Sequence, residues 1–71
     1  MSERKKAVEL IMRVAFNIKK FRIQIKLTQE QLESMSGVSV ARCESGKQDM
    51  TLTTIGVLSE HLSIEPHQLL K

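Results

Sequence analysis

The first third of the chain carries apolar residues at three- and four-residue steps, with no glycine or proline between Ser2 and about Ile25. One apolar series consists of Val8, Ile11, Val14, Ile18, Phe21 and Ile25. This spacing places one apolar residue on the same side of the helix in each turn, which predicts a long first helix with one apolar face. Residues 1–13 are expected to form an N-terminal extension of this helix. On roughly the opposite side lie Met12, Phe16 and Ile23, beside a basic line of Lys6, Arg13 and Lys20.

The rest of the chain repeats one helix-start signature, a Thr, Ser or Glu at the N-cap with apolar residues just before it and four positions after it. It occurs at Leu27-Thr28 with Leu32, Val38-Ser39 with Cys43, Met50-Thr51 with Ile55, and Ile64-Glu65 with Leu69. Gln31 completes a capping box with Thr28, and Pro66 suits the first position of the last helix. Gly46 closes the third helix after barely six residues.

No stretch alternates as a strand would, so the chain is predicted to be all-α, one compact five-helix domain over residues 1–71. The apolar positions of the five helices and their staples are predicted to form a single core. The predicted core is Ile11, Val14, Ile18, Phe21, Leu27, Leu32, Val38, Cys43, Leu52, Ile55, Leu58, Leu62, Ile64 and Leu69.

The net charge of +3 is unevenly distributed. Residues 1–26 hold eight Lys or Arg against two Glu, whereas residues 27–71 hold three against six acidic residues. A basic N-terminal segment suits a polyanion such as nucleic acid, and equally suits a solvated helix face. With two Phe and no Trp or Tyr, a base-stacking surface is excluded.

The residues that could carry chemistry are few. A single cysteine, Cys43, leaves no disulfide and no thiol partner for zinc, and is predicted to be a small buried apolar residue. His61 and His67 stand without a catalytic partner, so neither an enzyme nor a bound cofactor or small-molecule substrate is predicted. No apolar run approaches a membrane span, which makes the cytoplasm the expected location.

Three segments in order carry a family resemblance: IKKFRIQIKLTQEQL, the turn SGVS, and ESGKQDMTLTTIGVLSEHLSIEPHQLL. Together they resemble the Cro/C1-type (XRE-like) helix-turn-helix family of phage repressors, restriction-modification controller proteins and related bacterial regulators. The resemblance covers nearly everything from Val14 onward and implies a lambda-repressor-like fold. In that family the second helix crosses the DNA backbone and the third lies in the major groove.

The resemblance also implies roles for individual residues. Gln29 would meet a phosphate at the start of helix two, and Lys47 and Gln48 would grip the backbone from the loop after helix three. Arg22 would pair with Glu44 as a mainly structural ion pair. Ser39 is expected to act chiefly as the N-cap of helix three, although a hydroxyl can also contact a base.

The third helix departs from the family pattern because only four residues, Val40-Ala41-Arg42-Cys43, separate GVS from the ESGK motif where seven are common. Aligned backward from Glu44, Val40 and Cys43 are core positions and Arg42 is exposed. Aligned from the turn, Val40 and Ala41 take the base-reading positions. Either alignment reduces the reading surface, because three residues fewer shorten a helix by about 4.5 Å.

Further departures concern charge and size. Glu33 and Ser36 stand where small residues usually pack helix two against helix three, and a glutamate there needs room or a partner. Asp49 and Met50 replace a neutral or basic residue and a proline in the loop, which weakens the expected grip on phosphate.

Two functions therefore remain as expectations. The first is a sequence-specific transcriptional regulator that binds double-stranded DNA as a homodimer on a palindromic operator, with Arg42 contacting a guanine. The second is a derived helix-turn-helix protein with lost or altered DNA reading that acts on another protein, such as a related regulator, as an anti-repressor or inhibitor. The dimer interface is expected at helix five (residues 64–70) or at the second stripe of helix one.

Overall fold

A 23-residue helix, α1, spans Ser2–Gln24 and forms the long side of the molecule. The computed structural model describes residues 2–71, with side chains from Arg4 onward. Helix α1 ends close to the predicted Ile25, because Lys26 adopts a left-handed conformation with φ 61° and its N–H bonds back to the carbonyl of Ile23. At 1.5 Å per residue α1 is about 35 Å long, which accounts for the 37 Å longest dimension.

Three shorter α-helices follow α1. They are α2 (Gln29–Ser36), α3 (Val40–Glu44) and α4 (Leu52–Leu62). The predicted fifth α-helix is instead a 3-10 helix, Pro66–Leu69, whose single turn carries i to i+3 bonds from Gln68 to Glu65 and from Leu70 to His67. The described residues are therefore all-helical, with four α-helices and one 3-10 turn.

Side-chain caps fix where α2 and α4 begin. Thr28 Oγ1 accepts from the Gln31 N–H at 3.0 Å while Gln31 Oε1 accepts from the Thr28 N–H at 2.8 Å, which confirms the capping box. Thr51 caps α4 by accepting from the Thr54 N–H at 3.1 Å. Each cap satisfies backbone donors that the first helical turn leaves without partners.

The core lies where α1 packs against α3, α4 and the 3-10 helix, while α2 packs against α3 and α4. Its fully or nearly fully buried side chains are Val14, Ala15, Ile18, Leu32, Val40, Cys43, Leu58, Leu62 and Leu69. Phe21, Leu27, Val38, Met50, Ile55 and Ile64 are partly buried against it. Most of the predicted core is therefore found, and α1 contributes its predicted face between Val14 and Phe21.

One core prediction is wrong, and the apolar face of α1 is covered over only part of its length. Leu52 is 88% exposed, because as the first residue of α4 it faces away from the core that Ile55 and Leu58 reach. Val8 and Ile25 lie on the predicted face of α1 but beyond the elements that cover it, so both are about half exposed. The periodicity locates a helix face, and the length of the neighbouring elements decides how much of that face is buried.

One buried polar contact joins α1 to the 3-10 helix. Asn17 is 6% exposed, and its side-chain amide donates to the carbonyl oxygen of Leu69 at 2.9 Å. Because an unpartnered amide in a core is costly, this bond holds the 3-10 helix against α1 in one register.

Two glycines give a matched stability test. Gly46 has φ 72° in the turn after α3, so Gly46→Ala is expected to lower the free energy of unfolding by about 1–2 kcal/mol through backbone strain. Gly56 lies inside α4 with no atom within 4 Å of an added Cβ, so Gly56→Ala is expected to raise it by about 0.5–1 kcal/mol. Urea denaturation followed by circular dichroism measures both, and equal effects of the same sign would contradict the assigned conformations.

Candidate nucleic-acid interface

Helices α2 and α3 are joined by a tight turn. Gly37 closes α2 with φ 74° and donates its N–H to the Glu33 carbonyl at 2.8 Å. The next bond runs from the Val38 N–H to Ser36 Oγ at 3.2 Å. Leu32 and Val40, both fully buried, anchor the two helices to the same core. The relative placement of α2 and α3 is thereby fixed by packing as well as by the turn.

A buried ion pair ties α1 to the end of α3. Arg22 Nε donates to Glu44 Oε2 at 2.6 Å and Arg22 Nη2 donates to Glu44 Oε1 at 3.0 Å, a bidentate arrangement. The side chains of Arg22 and Glu44 are 10% and 4% exposed. This hydrogen bonding, with the charge of Glu44, raises the pKa of Arg22 against the opposing effect of burial.

The same cluster reaches the start of α2. Arg22 Nη1 donates to the Leu27 carbonyl at 2.7 Å, and Gln29 Nε2 donates to Glu44 Oε1 at 2.9 Å. Arg22, Leu27, Gln29 and Glu44 thus form one network that connects three helices. Gln29, expected to meet a phosphate, is partly buried, and its side-chain amide nitrogen donates to Glu44. Its neighbours Thr28, Glu30 and Gln31 in the first turn of α2 are exposed.

Helix α3 presents a small exposed face. Val40 is fully buried and Cys43 is 7% exposed, as in the alignment that runs backward from Glu44. Val40 is therefore removed from the candidate base-reading residues, because its side chain has no access to a ligand. Ser39, Ala41 and Arg42 are exposed and remain candidates.

The N-terminus of α3 is capped by a residue that the sequence pattern did not predict in this role. Ser39 occupies the N-cap position but makes no side-chain cap bond. The carboxylate of Glu33 accepts from the Val40 N–H instead, at 3.2 Å across the turn. The Glu33 carboxylate thereby finds the partner it needs, and it puts a negative charge at the positive end of α3.

The loop after α3 completes this surface. Ser45 Oγ donates to the Arg42 carbonyl at 2.6 Å and accepts from the Lys47 N–H at 3.2 Å, which holds the loop against α3. Lys47 and Gln48 are exposed, as is Asp49 beside them. An open cleft of about 340 Å³ runs between the α2–α3 turn and this loop, with Ser39, Arg42, Gln48 and Asp49 among its lining residues.

The charge of the surface is mixed. Arg42 and Lys47 supply exposed positive charge, whereas Glu30, Glu33 and Asp49 supply exposed negative charge. Glu44 is neutralised by Arg22. Since phosphate contacts supply much of the affinity of proteins for DNA, this surface favours a few directed contacts over a strong non-specific attraction.

Within the part of the chain that the structure describes, no group of three or more His, Cys, Asp or Glu is placed to hold a metal ion. Cys43 is a free, buried thiol, and its burial, together with the charge of Glu44, raises its pKa.

Among the described helices, none is long and apolar enough to cross a membrane.

Removing the charge of Glu33 tests its effect on the surface. Glu33→Gln retains an oxygen that can accept from the Val40 N–H but removes the negative charge, so affinity for duplex DNA is expected to rise about three- to tenfold. Fluorescence anisotropy with a labelled duplex measures this change. Glu60→Gln on α4 is the matched control with the same change in net charge, and an equal gain in both variants would contradict a local role for Glu33.

No protein-family model, curated protein or solved structure matches this chain. The likeness to the Cro/C1-type family therefore rests on the order and spacing of its motifs.

Proposed function

We propose that the protein is a sequence-specific double-stranded DNA-binding regulator of the helix-turn-helix type, with α2 on the DNA backbone and α3 entering the major groove. The observation that carries this proposal is the network of Arg22, Glu44 and Gln29. It fixes the start of α2 against the end of α3. Arg42, Lys47 and Gln48 are exposed, and Arg42 and Gln48 line the same cleft. A rigid pair of helices of this kind is what base recognition requires.

Each contacting residue has a separate role in this proposal. Arg42 donates two hydrogen bonds to the O6 and N7 of a guanine, while Ala41 can contact a thymine methyl group. Lys47 and Gln48 bind phosphate, and the first turn of α2 with Gln29 binds a second phosphate through backbone N–H groups. Because α3 has five residues and rises only about 7 Å, each half-site is short.

A short half-site calls for two copies of the protein on one operator. An apolar groove of about 120 Å³ between α1, the start of α4 and Leu70 supports a dimer interface. Its lining includes Leu10, Ile11, Leu52, Ile55 and Leu70, with Asp49 beside them. Leu52 is 88% exposed in one copy. Pairing two such grooves removes this apolar surface from water, which favours association.

The experiment that tests the proposal is selection from a library of random duplexes at about 0.15 M salt, followed by anisotropy on the enriched sequence. We expect enrichment of a palindrome with half-sites about 10 base pairs apart and an affinity that falls steeply with salt. Retention of random duplex without any enriched motif would exclude sequence-specific regulation.

A second candidate function is regulation through another protein. The observation that favours it is the reading surface itself, where α3 exposes Ser39, Ala41 and Arg42 and carries the Glu33 carboxylate at its N-terminus. In this alternative the chain acts as an inhibitor or anti-repressor of a related regulator. Folded protein that gives no enriched duplex in the selection would favour it.

A further inference from the structure

The outer side of α1 carries an apolar stripe that no described element covers. We define the outer stripe as Met12, Phe16 and Ile23, which are 58%, 68% and 53% exposed. At 100° per residue these positions fall within a sector of about 40°. They extend over about 16 Å of helix. An exposed apolar row of this length on so small a protein marks an interaction surface.

The fold does not need the outer stripe. The face of α1 that packs into the core carries Val14, Ile18 and Phe21, on the opposite side of the helix. Since half or more of each side chain of the outer stripe lies in solvent, its apolar character contributes little to stability. A polar residue such as Gln would serve the monomer at Phe16 equally well.

Charge around the outer stripe selects the kind of partner. Among the exposed residues of α1 whose side chains the structure describes, Glu9 alone is acidic and six are basic. The basic residues are Arg4, Lys5, Lys6, Arg13, Lys19 and Lys20. A second copy of the chain would bring two basic rows together, and like charges at such short range oppose pairing. Duplex DNA satisfies the basic residues but cannot bury the apolar ones.

A shallow groove beside the stripe offers a place for a side chain. It measures about 220 Å³ and lies between Met12, Phe16 and Lys19 of α1 and the turn of Ser45 and Gly46. The turn lies against α1, since a Cβ at Gly46 would be in ordinary van der Waals contact with Cγ of Met12, at 3.6 Å. An apolar side chain from a partner can enter this groove while its neighbours contact the outer stripe.

We propose that the outer stripe binds an amphipathic helix of another protein, with apolar residues at three- and four-residue spacing and Asp or Glu on both flanks. The apolar row of such a helix covers Met12, Phe16 and Ile23, and its carboxylates face Arg13 and Lys19. The contact is one helix long, below the size of a standard stable interface, so the affinity is in the micromolar range. This inference is independent of DNA binding. The outer stripe is an apolar surface of α1, whereas the proposed DNA contacts come from polar and charged residues of α2, α3 and the following loop.

The experiment is a selection from a display library of helical peptides of about 20 residues, presented to the full chain without DNA. We expect enriched peptides with a net negative charge and an apolar row, whose affinity falls at least tenfold in Phe16→Gln and in Arg13→Glu with Lys19→Glu. Met35→Gln, which changes an exposed apolar side chain on α2 (52% exposed), is the matched control and should leave affinity within twofold. Circular dichroism establishes that each variant is folded.

Three results would overturn the proposal. They are the absence of any enriched peptide, enrichment of basic or neutral peptides, and peptide binding that Phe16→Gln leaves unchanged. Sedimentation of the wild type as a dimer that Phe16→Gln dissociates would also overturn it, since the occupant would then be a second copy. The Phe16→Gln variant is also put through the duplex selection. Enrichment of a palindrome by this variant would show that DNA binding is intact, so that failure of this proposal is distinguished from failure of the proposed function.

Discussion

Glu44→Ala is expected to lower the free energy of unfolding by about 3 kcal/mol, the largest effect of any single change considered for this protein. The substitution removes the bidentate partner of Arg22, whose side chain is only 10% exposed, and leaves its guanidinium charge uncompensated. Gln29 loses its hydrogen-bond partner in the same step. A chain of 71 residues has a free energy of unfolding on the order of 5 kcal/mol, so the substitution removes more than half of it.

Urea denaturation followed by far-ultraviolet circular dichroism measures this effect, provided that the slope with urea is unchanged. Glu30→Ala, in the exposed first turn of α2, removes the same charge and is expected to stay within about 0.5 kcal/mol of the wild type. Glu44→Gln keeps one oxygen as an acceptor and should fall between these two. A loss below about 0.5 kcal/mol in Glu44→Ala would contradict the role of the network in holding α1, α2 and α3 together.

Arg42→Ala is expected to lower affinity for the selected operator about 10- to 100-fold and to relax the preference at one base-pair position in each half-site. The reason is that Arg42 is the only exposed cation among the residues of α3, and in the proposed complex it alone forms two hydrogen bonds with a base. Stability should change little, because the side chain is exposed and makes no side-chain hydrogen bond within the described residues. Anisotropy titrations against the operator and its single-position variants measure both effects.

Lys47→Ala is the matched comparison, since it also removes one exposed cation but from a proposed phosphate contact. It should weaken binding to all duplexes about equally and reduce the salt slope by about one, without altering sequence preference. Operator binding in which Arg42→Ala leaves the sequence preference intact would show that α3 does not carry the base contacts.

The start of each helix could be predicted from the sequence because its determinants are local. The capping box of Thr28 and Gln31 and the cap of Thr51 lie within four residues of the helices they begin, and both are present. The network of Arg22 and Glu44 joins residues 22 positions apart. It was expected from the resemblance to a family, and nothing in the local pattern specifies it.

What the sequence could not specify depends on which elements meet in space. Ser39 is an obvious N-cap, yet Glu33 takes that role because the tight turn at Gly37 brings the end of α2 to the start of α3. Leu52 has the right residue type for the core, but as the first residue of α4 it is 88% exposed. The burial of Asn17 could not be predicted either, because its hydrogen-bond acceptor, the carbonyl oxygen of Leu69, is 52 residues away along the chain.

The candidate nucleic-acid interface was likewise predictable only in part from the sequence. Two alignments of the short segment Val40-Ala41-Arg42-Cys43 differ in which side chains face the core, and the burial of Val40 and Cys43 selects one of them. The exposure of Arg42 follows directly from that choice. The shortness of α3 could be predicted from the sequence, which indicated barely six residues where the helix has five. Its rotation about the helix axis depends on packing against α1 and α2.

In the proposed complex, DNA contacts the surface formed by the start of α2, the exposed side of α3 and the following loop. The most direct measurement is a titration of ¹⁵N-labelled protein with the selected duplex, followed by two-dimensional amide spectra. We predict that the largest shifts fall at residues 28–31, 39–42 and 47–48, while the amides of Met12, Phe16 and Ile23 stay in place. Shifts confined to the outer stripe of α1, or spread evenly over the chain, would contradict the claim.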